Sequence, residues 1–268
     1  MNIEHISVSR SKSYRQCAYY YKLKYHERIP NPGEEQFYFT YGKIIHKIAE
    51  CHVSEEGKRP LTEVVDDVLK GRIEIEDGKK APPLPAEYKK RVPGHIRAIQ
   101  RLNDQIGCDG ITEYKFKYDL SPPNKKFVTG FIDRIIVRNE KAWIIDYKTT
   151  KKGPFRENRR TIKNDPQLRI YCRVVQKEMG IAPSNIKAAL YYLEDEELLS
   201  SSYDEDSLEM IEKELLEIYD QVLHHRPDDA RGSVGQHCQR CEYKDMCPFF
   251  KNGTKSKIKS WDGNLRNL

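Results

Sequence analysis

The chain lacks any apolar run near the ~20 residues that a membrane-crossing helix needs, and no signal peptide opens it. Its seven cysteines are an odd number among 268 residues, which argues against a disulfide framework and for a reducing compartment. Internal repeats are missing, which excludes solenoids and propellers. No sequence-reading nucleic-acid module is visible either. A net charge of +6 is modest for a nucleic-acid binder, but it is unevenly spread. The expectation is a soluble cytoplasmic protein with no membrane partner, long enough for one elaborated domain or two small ones.

What is present centres on Gly130-Phe-Ile-Asp133 and Asp146-Tyr-Lys148-Thr. Two carboxylates and an ammonium interrupt otherwise apolar strands, where charge is costly unless it binds something. Strands 127–137 and 142–149, joined by a tight turn at Asn139-Glu140, oppose residues whose numbers sum to 279, and Asp133 with Asp146 is such a pair. The turn lacks the Asn-Gly signal that would fix this register firmly. Opposed β carbons lie about 5 Å apart, and Lys148 joins the same face by the two-residue period. Carboxylates that close repel unless a cation lies between them, and oxygen ligands select Mg2+ or Mn2+. The alternative, a structural Asp–Lys ion pair, leaves the second carboxylate unexplained.

These segments resemble the metal-binding core of the PD-(D/E)xK nucleases, in their RecB-like branch. The resemblance implies an α/β fold, a mixed sheet flanked by helices, and phosphodiester hydrolysis. Asp133 and Asp146 would be metal ligands, helped by the Tyr147 carbonyl, and Lys148 would orient the attacking water. Three further segments fit. Gly42-xxx-His46 on an amphipathic helix matches the family's metal histidine, and Glu113 resembles the acidic residue preceding the Gly-xx-Asp strand. Asp165-Pro166 is a good helix start, and Gln167 and Tyr171, one turn apart, match a motif that implies contact with the incoming DNA strand. Cys238-xx-Cys241-xxxxx-Cys247 with Cys17 resembles the iron-sulfur staple of the AddB nuclease domain and of CRISPR spacer-acquisition nucleases, implying a 4Fe-4S cluster. Spacing alone suits Zn2+ equally, with His237 as a substitute ligand. Cys51, Cys108 and Cys172 read as small hydrophobes.

The stretch from Lys148 to Lys163 carries seven basic residues against one acid; Lys151, Lys152, Arg156, Arg159 and Arg160 would line a phosphate backbone, the alternative being a solvated linker. Residues 9–25, rich in tyrosine and lysine, read as one helix able to stack bases or to cover the core. Other helices are expected at 61–72, 87–106 and 206–224, and strands at 112–119 and 186–193. The organisation expected is a helical part to residue 110, a nuclease core at 111–225, a cysteine knuckle at 226–250 and a basic mobile tail at 251–268. The function expected is a DNA exonuclease preferring single strands or frayed ends, in recombination, repair or phage DNA processing, with a possible helicase partner. Two alternatives stay open: a CRISPR spacer-acquisition nuclease with an integrase partner, and an iron-sulfur DNA-binding scaffold that does not cut.

Overall fold

A computed structural model describes residues 5–31, 37–122, 124–153, 156–224 and 229–252. In chain order the elements are β1 (His5–Ser7), α1 (Val8–Gln16), α2 (Ala18–Tyr21), a π-turn at Lys22–His26, α3 (Phe37–Ser54) and α4 (Leu61–Leu69). The hairpin β2 (Glu74–Glu76) and β3 (Lys79–Lys80) follows, then α5 (Ala86–Lys89) and α6 (Val92–Ile106). The remainder is β4 (Ile111–Asp119), β5 (Phe127–Arg138), β6 (Lys141–Lys148), α7 (Pro166–Met179), β7 (Ile186–Tyr192), β8 (Glu197–Ser201), α8 (Glu205–His224) and α9 (Pro248–Asn252). The mixed α/β fold expected is the one observed.

The chain divides into two compact units. The larger comprises residues 36–118 and 129–213, so the helices at 37–106 pack with the strands and do not form a part of their own. Its strands run in the order β4, β5, β6, β7, β8. The β5–β6 and β7–β8 pairs are antiparallel, whereas β6 and β7 run parallel. A parallel pair cannot be joined by a tight turn and needs a crossover; α7 supplies it. Ile44, Ile45, Ile48, Val64, Val68, Ile99 and Leu102, from α3, α4 and α6, form one buried core with Ile136, Ile145, Tyr147 and Tyr191 of the sheet. Asp165 caps α7 by accepting the Leu168 N–H at 2.8 Å, and Pro166 opens the first turn. The helix expected at 87–106 is split after Lys89, because Pro93 has no N–H to donate to the Lys89 carbonyl one turn earlier and instead sits in the first turn of α6. The β2–β3 hairpin was not expected, although Asp77-Gly78 is a strong turn signal and Gly78 has φ +71°.

The smaller unit comprises residues 1–35, 119–128 and 214–268 and so gathers all four cysteines of the expected staple. Residues 9–25 do not form one helix. Cys17 is extended (φ −164°, ψ 111°) and separates α1 from α2, its Sγ accepting the Tyr20 N–H at 3.5 Å. Tyr20 Oη donates to Glu242 at 3.0 Å, Tyr243 Oη donates to the Ile29 carbonyl at 2.9 Å, and the rings of Tyr19 and Phe249 meet edge to face at 5.1 Å. These tyrosines therefore stitch the amino-terminal helices to the cysteine-bearing segment instead of standing free for bases. The expected tail lies outside the described residues from 253 onward, as do residues 226–228 of the loop before the knuckle.

Candidate metal centre

The β5–β6 ladder pairs Arg138 with Lys141 and continues to Arg134 with Ile145, every pair summing to 279. Asn139 and Glu140 both take positive φ, 49° and 60°, as a primed two-residue hairpin turn requires, and they do so without glycine. The ladder stops one pair short of Asp133 and Asp146. There Asp133 Oδ2 accepts the Tyr147 N–H at 2.8 Å, so a side chain takes the hydrogen bond that a backbone carbonyl would otherwise accept.

Three elements bring ligands to this opening. His46 of α3 places Nδ1 3.3 Å from Asp133 Oδ2. Glu113 of β4 completes a group in which the ligand atoms of His46, Glu113 and Asp133 lie within 4.8 Å of one another. Glu113 has φ +45°, uncommon for a residue that is not glycine and a form of strain that concentrates at functional sites. Asp146 stands outside that trio. It is 2 % exposed, its Oδ2 lies 2.5 Å from Lys148 Nζ, and its Oδ1 accepts from Gln167 Nε2 at 3.0 Å. Gln167 also accepts from Lys148 Nζ at 3.3 Å and donates to Tyr171 Oη at 2.7 Å. The Gln-xxx-Tyr pair therefore faces Asp146 and Lys148. Tyr171 is 3 % exposed, and its buried hydroxyl needs an internal partner, so it is not open to an incoming strand.

Burial pushes the Asp146 carboxyl up to about 6, with the charge of Asp133 adding to the effect and Lys148 opposing it. Burial and then the Asp133 charge raise Glu113 to about 7. Burial also opposes ionisation of Asp133, but His46, Lys148 and the Tyr147 N–H outweigh it and hold that carboxyl below its usual range. His46 is driven to about 9 against its own burial, chiefly by Asp133. The raised Glu113 and Asp146 carboxyls and the raised His46 imidazole reflect negative charge crowded together away from water. Oxygen donors with one imidazole, carrying more negative charge than Lys148 can neutralise, fit a hard divalent ion.

Sequence reading missed Arg134. Its side chain is fully buried and donates to the Gly107 carbonyl at 2.6 Å, the Asp109 carbonyl at 2.8 Å, Asn103 Oδ1 at 2.7 Å and Tyr147 Oη at 3.3 Å. It thus ties the residue after Asp133 to the residue after Asp146. The signal was an arginine on the core-facing side of β5, between Ile132 and Ile136, where an unpartnered charge is almost never found.

The basic loop divides. Lys151, Lys152, Arg159 and Arg160 are exposed. Arg156 is turned inward, its side chain 4 % exposed, 2.6 Å from Asp195 and 3.2 Å from Glu197, with the guanidinium 3.6 Å from the Tyr192 ring centroid. An arginine buried over an aromatic and paired with carboxylates is not available to a phosphate backbone.

In the smaller unit Cys17 and Cys238 are buried, and all four staple cysteines are unpaired. Burial raises the Cys238 thiol, with Cys17 and Cys247 adding to it, and raises Cys241, with the other three adding to it, so the four lie within electrostatic reach of one another. No three of their sulfurs fall within 4.8 Å of each other. His237 Nε2 is 3.7 Å from Cys238 Sγ.

The family model described as "PD-(D/E)XK nuclease superfamily" matches residues 5–248. The chain belongs to the PD-(D/E)XK nuclease superfamily. Membership implies metal-dependent nuclease activity with DNA as substrate. No curated protein matches the chain. A solved structure described as "Crystal structure of SSO0001" is 16% identical, with a TM-score of 0.38 over 86% of this chain and 94% of that one. No described helix is long and apolar enough to cross a membrane.

Proposed function

We propose that this nuclease is a DNA exonuclease of the RecB-like branch, acting on single strands or frayed ends with Mg2+ or Mn2+, and that Cys17, Cys238, Cys241 and Cys247 hold a 4Fe-4S cluster. The observation that carries the catalytic reading is the convergence of His46, Glu113 and Asp133 beside the Asp146–Lys148 pair, where two strands part. A divalent ion held by His46, Glu113 and Asp133, with Asp146 turning toward it, would supply charge stabilisation at the scissile phosphate and acidify a water. Lys148 is held protonated by Asp146 and Asp133 against its burial, so it donates hydrogen bonds and is suited to orient a water or a phosphate oxygen. Gln167 bonds both Lys148 and Asp146 and keeps the pair aligned. Tyr147 stays in the proposal through its carbonyl, since its N–H already anchors Asp133.

The cluster reading is supported by Cys17 of the amino-terminal segment lying within electrostatic reach of Cys238 and Cys241, since four thiolates suit a 4Fe-4S core, as they also suit zinc. A scaffold that does not cut has no use for a histidine, three carboxylates and a lysine brought to one opening.

The test is cleavage of end-labelled single- and double-stranded oligonucleotides with Mg2+ or Mn2+. The wild type should shorten single strands from an end and spare closed circles. Asp133→Ala and Asp146→Ala should abolish cleavage while binding, measured with Ca2+, stays within a few-fold. Degradation by Asp146→Ala at the wild-type rate would refute the site, and cutting of circular strands would refute the exonuclease.

A further inference from the structure

Phe131 is 50 % exposed in the middle of β5, two residues before Asp133. Residues two apart share a face and lie about 6.6 Å apart along a strand, so the ring stands on the side of the sheet that carries the metal centre. β4 pairs with β5. Glu113 meets Asp133, and Lys115, two residues on, places Nζ 6.0 Å from the Phe131 ring centroid. The two strands thus present two adjacent rungs, one of metal-ligand carboxylates and the next of a half-exposed aromatic ring with an ammonium over one of its faces. An aromatic face with a neighbouring cation matches a nucleotide, whose base stacks on the ring while its phosphate takes the charge.

We propose that Phe131 and Lys115 form a base-stacking subsite for the nucleotide next to the scissile phosphate. The proposal rests on the single-strand reading above, because only an unpaired base can leave its neighbours to stack on protein. The subsite accepts any base, since every base has a π-face, and it would set the register of the strand on the metal centre without reading sequence. Trp143 and Lys187 offer an internal comparison. They form a similar exposed pair, 41 % exposed with Nζ 5.0 Å from the ring centroid, but Trp143 lies three residues from Asp146 and therefore on the other face of β6.

The experiment is an abasic scan. A short single-stranded oligonucleotide is made with one base removed at each position in turn, and its affinity is measured with Ca2+ replacing Mg2+ so that the strand stays intact. For the wild type, one position near the bound end should cost about 5- to 150-fold in affinity, the range of a base stacked on an aromatic. Phe131→Ala should weaken the intact strand by a similar factor and erase the penalty at that position alone. Phe131→Trp should keep the penalty, and Trp143→Ala should leave the whole profile unchanged. Lys115→Ala should lower the salt slope by about 0.7. If Phe131→Ala does not fold, Phe131→Leu, which keeps the apolar bulk without a π-face, is read in the same way. An abasic profile identical in wild type and Phe131→Ala overturns the subsite, as does a wild type with no affinity for single strands. Absence of Mg2+-dependent cleavage alongside the expected profile would instead count against the nuclease reading alone.

Discussion

Metal binding at the His46–Glu113–Asp133 centre should be strongly linked to pH, and the perturbation is Mn2+ added to metal-free protein at about pH 8 and about pH 5.5. A carboxyl whose folded pKa is raised binds its proton more tightly when folded. The metal-free protein therefore loses stability as pH climbs through the unfolded carboxylate range toward the folded values of about 7 for Glu113 and about 6 for Asp146. A cation must displace those same protons. At about pH 5.5 the Glu113 proton costs about 30-fold in affinity and the Asp146 proton about fourfold. Glu113 is only partly buried, so solvent screening trims its share, and the two together should cost about 30- to 100-fold. The His46 proton, held up to about 9 by Asp133, acts in the same direction because a ligating imidazole must be neutral. With Mn2+ about 100-fold above its Kd at pH 8, the stabilisation is about 2.7 kcal/mol, a rise in melting temperature of about 5–10 °C for a chain of this size. The same concentration at about pH 5.5 should give a rise of about 1 °C. Differential scanning fluorimetry reads both. Equal shifts at the two pH values, or a full shift in the Asp133→Asn, Glu113→Gln double variant, would refute the assignment.

Arg134→Met should destabilise the protein by about 3–5 kcal/mol, since it leaves several buried carbonyl and amide acceptors without a donor; a guanidinium unfolding midpoint unchanged from wild type would contradict that. Protein purified without oxygen should be brown with about four irons per chain. Cys17→Ser should bleach it and lower its melting temperature, because the cluster closes the chain between residues 17 and 238, whereas Cys51→Ser should do neither; a colourless protein holding stoichiometric zinc would defeat the cluster. Neutralising Lys151, Lys152, Arg159 and Arg160 together should flatten the salt dependence of single-strand binding by up to about 0.7 per lost contact. Arg156→Ala should lower stability and leave that slope alone, since it removes a buried guanidinium that packs on Tyr192 and pairs with Asp195 and Glu197; a flattened slope in Arg156→Ala would contradict its inward placement.

The β5–β6 register as far as Arg134 and Ile145, the Asp165 cap on α7 and the helix bearing His46 were legible in the sequence. Each depends on residues close together in the chain, on a period of two or of 3.6, and on a short turn, and these are properties that local sequence determines. Where side chains from distant segments meet was decided only by the tertiary structure. Glu113 joins the centre because β4 lies beside β5. Gln167 and Tyr171 face Asp146 and Lys148, not an open groove, because the β6–β7 crossover lays α7 over them. Arg156 looked like one of a row of free cations until Asp195, Glu197 and Tyr192 were found around it, and Arg134 drew no notice until its carbonyl partners at Gly107 and Asp109 appeared. A charged side chain's role is set by the partner that satisfies it once water is removed, and residue numbers do not carry that partner when it comes from another element.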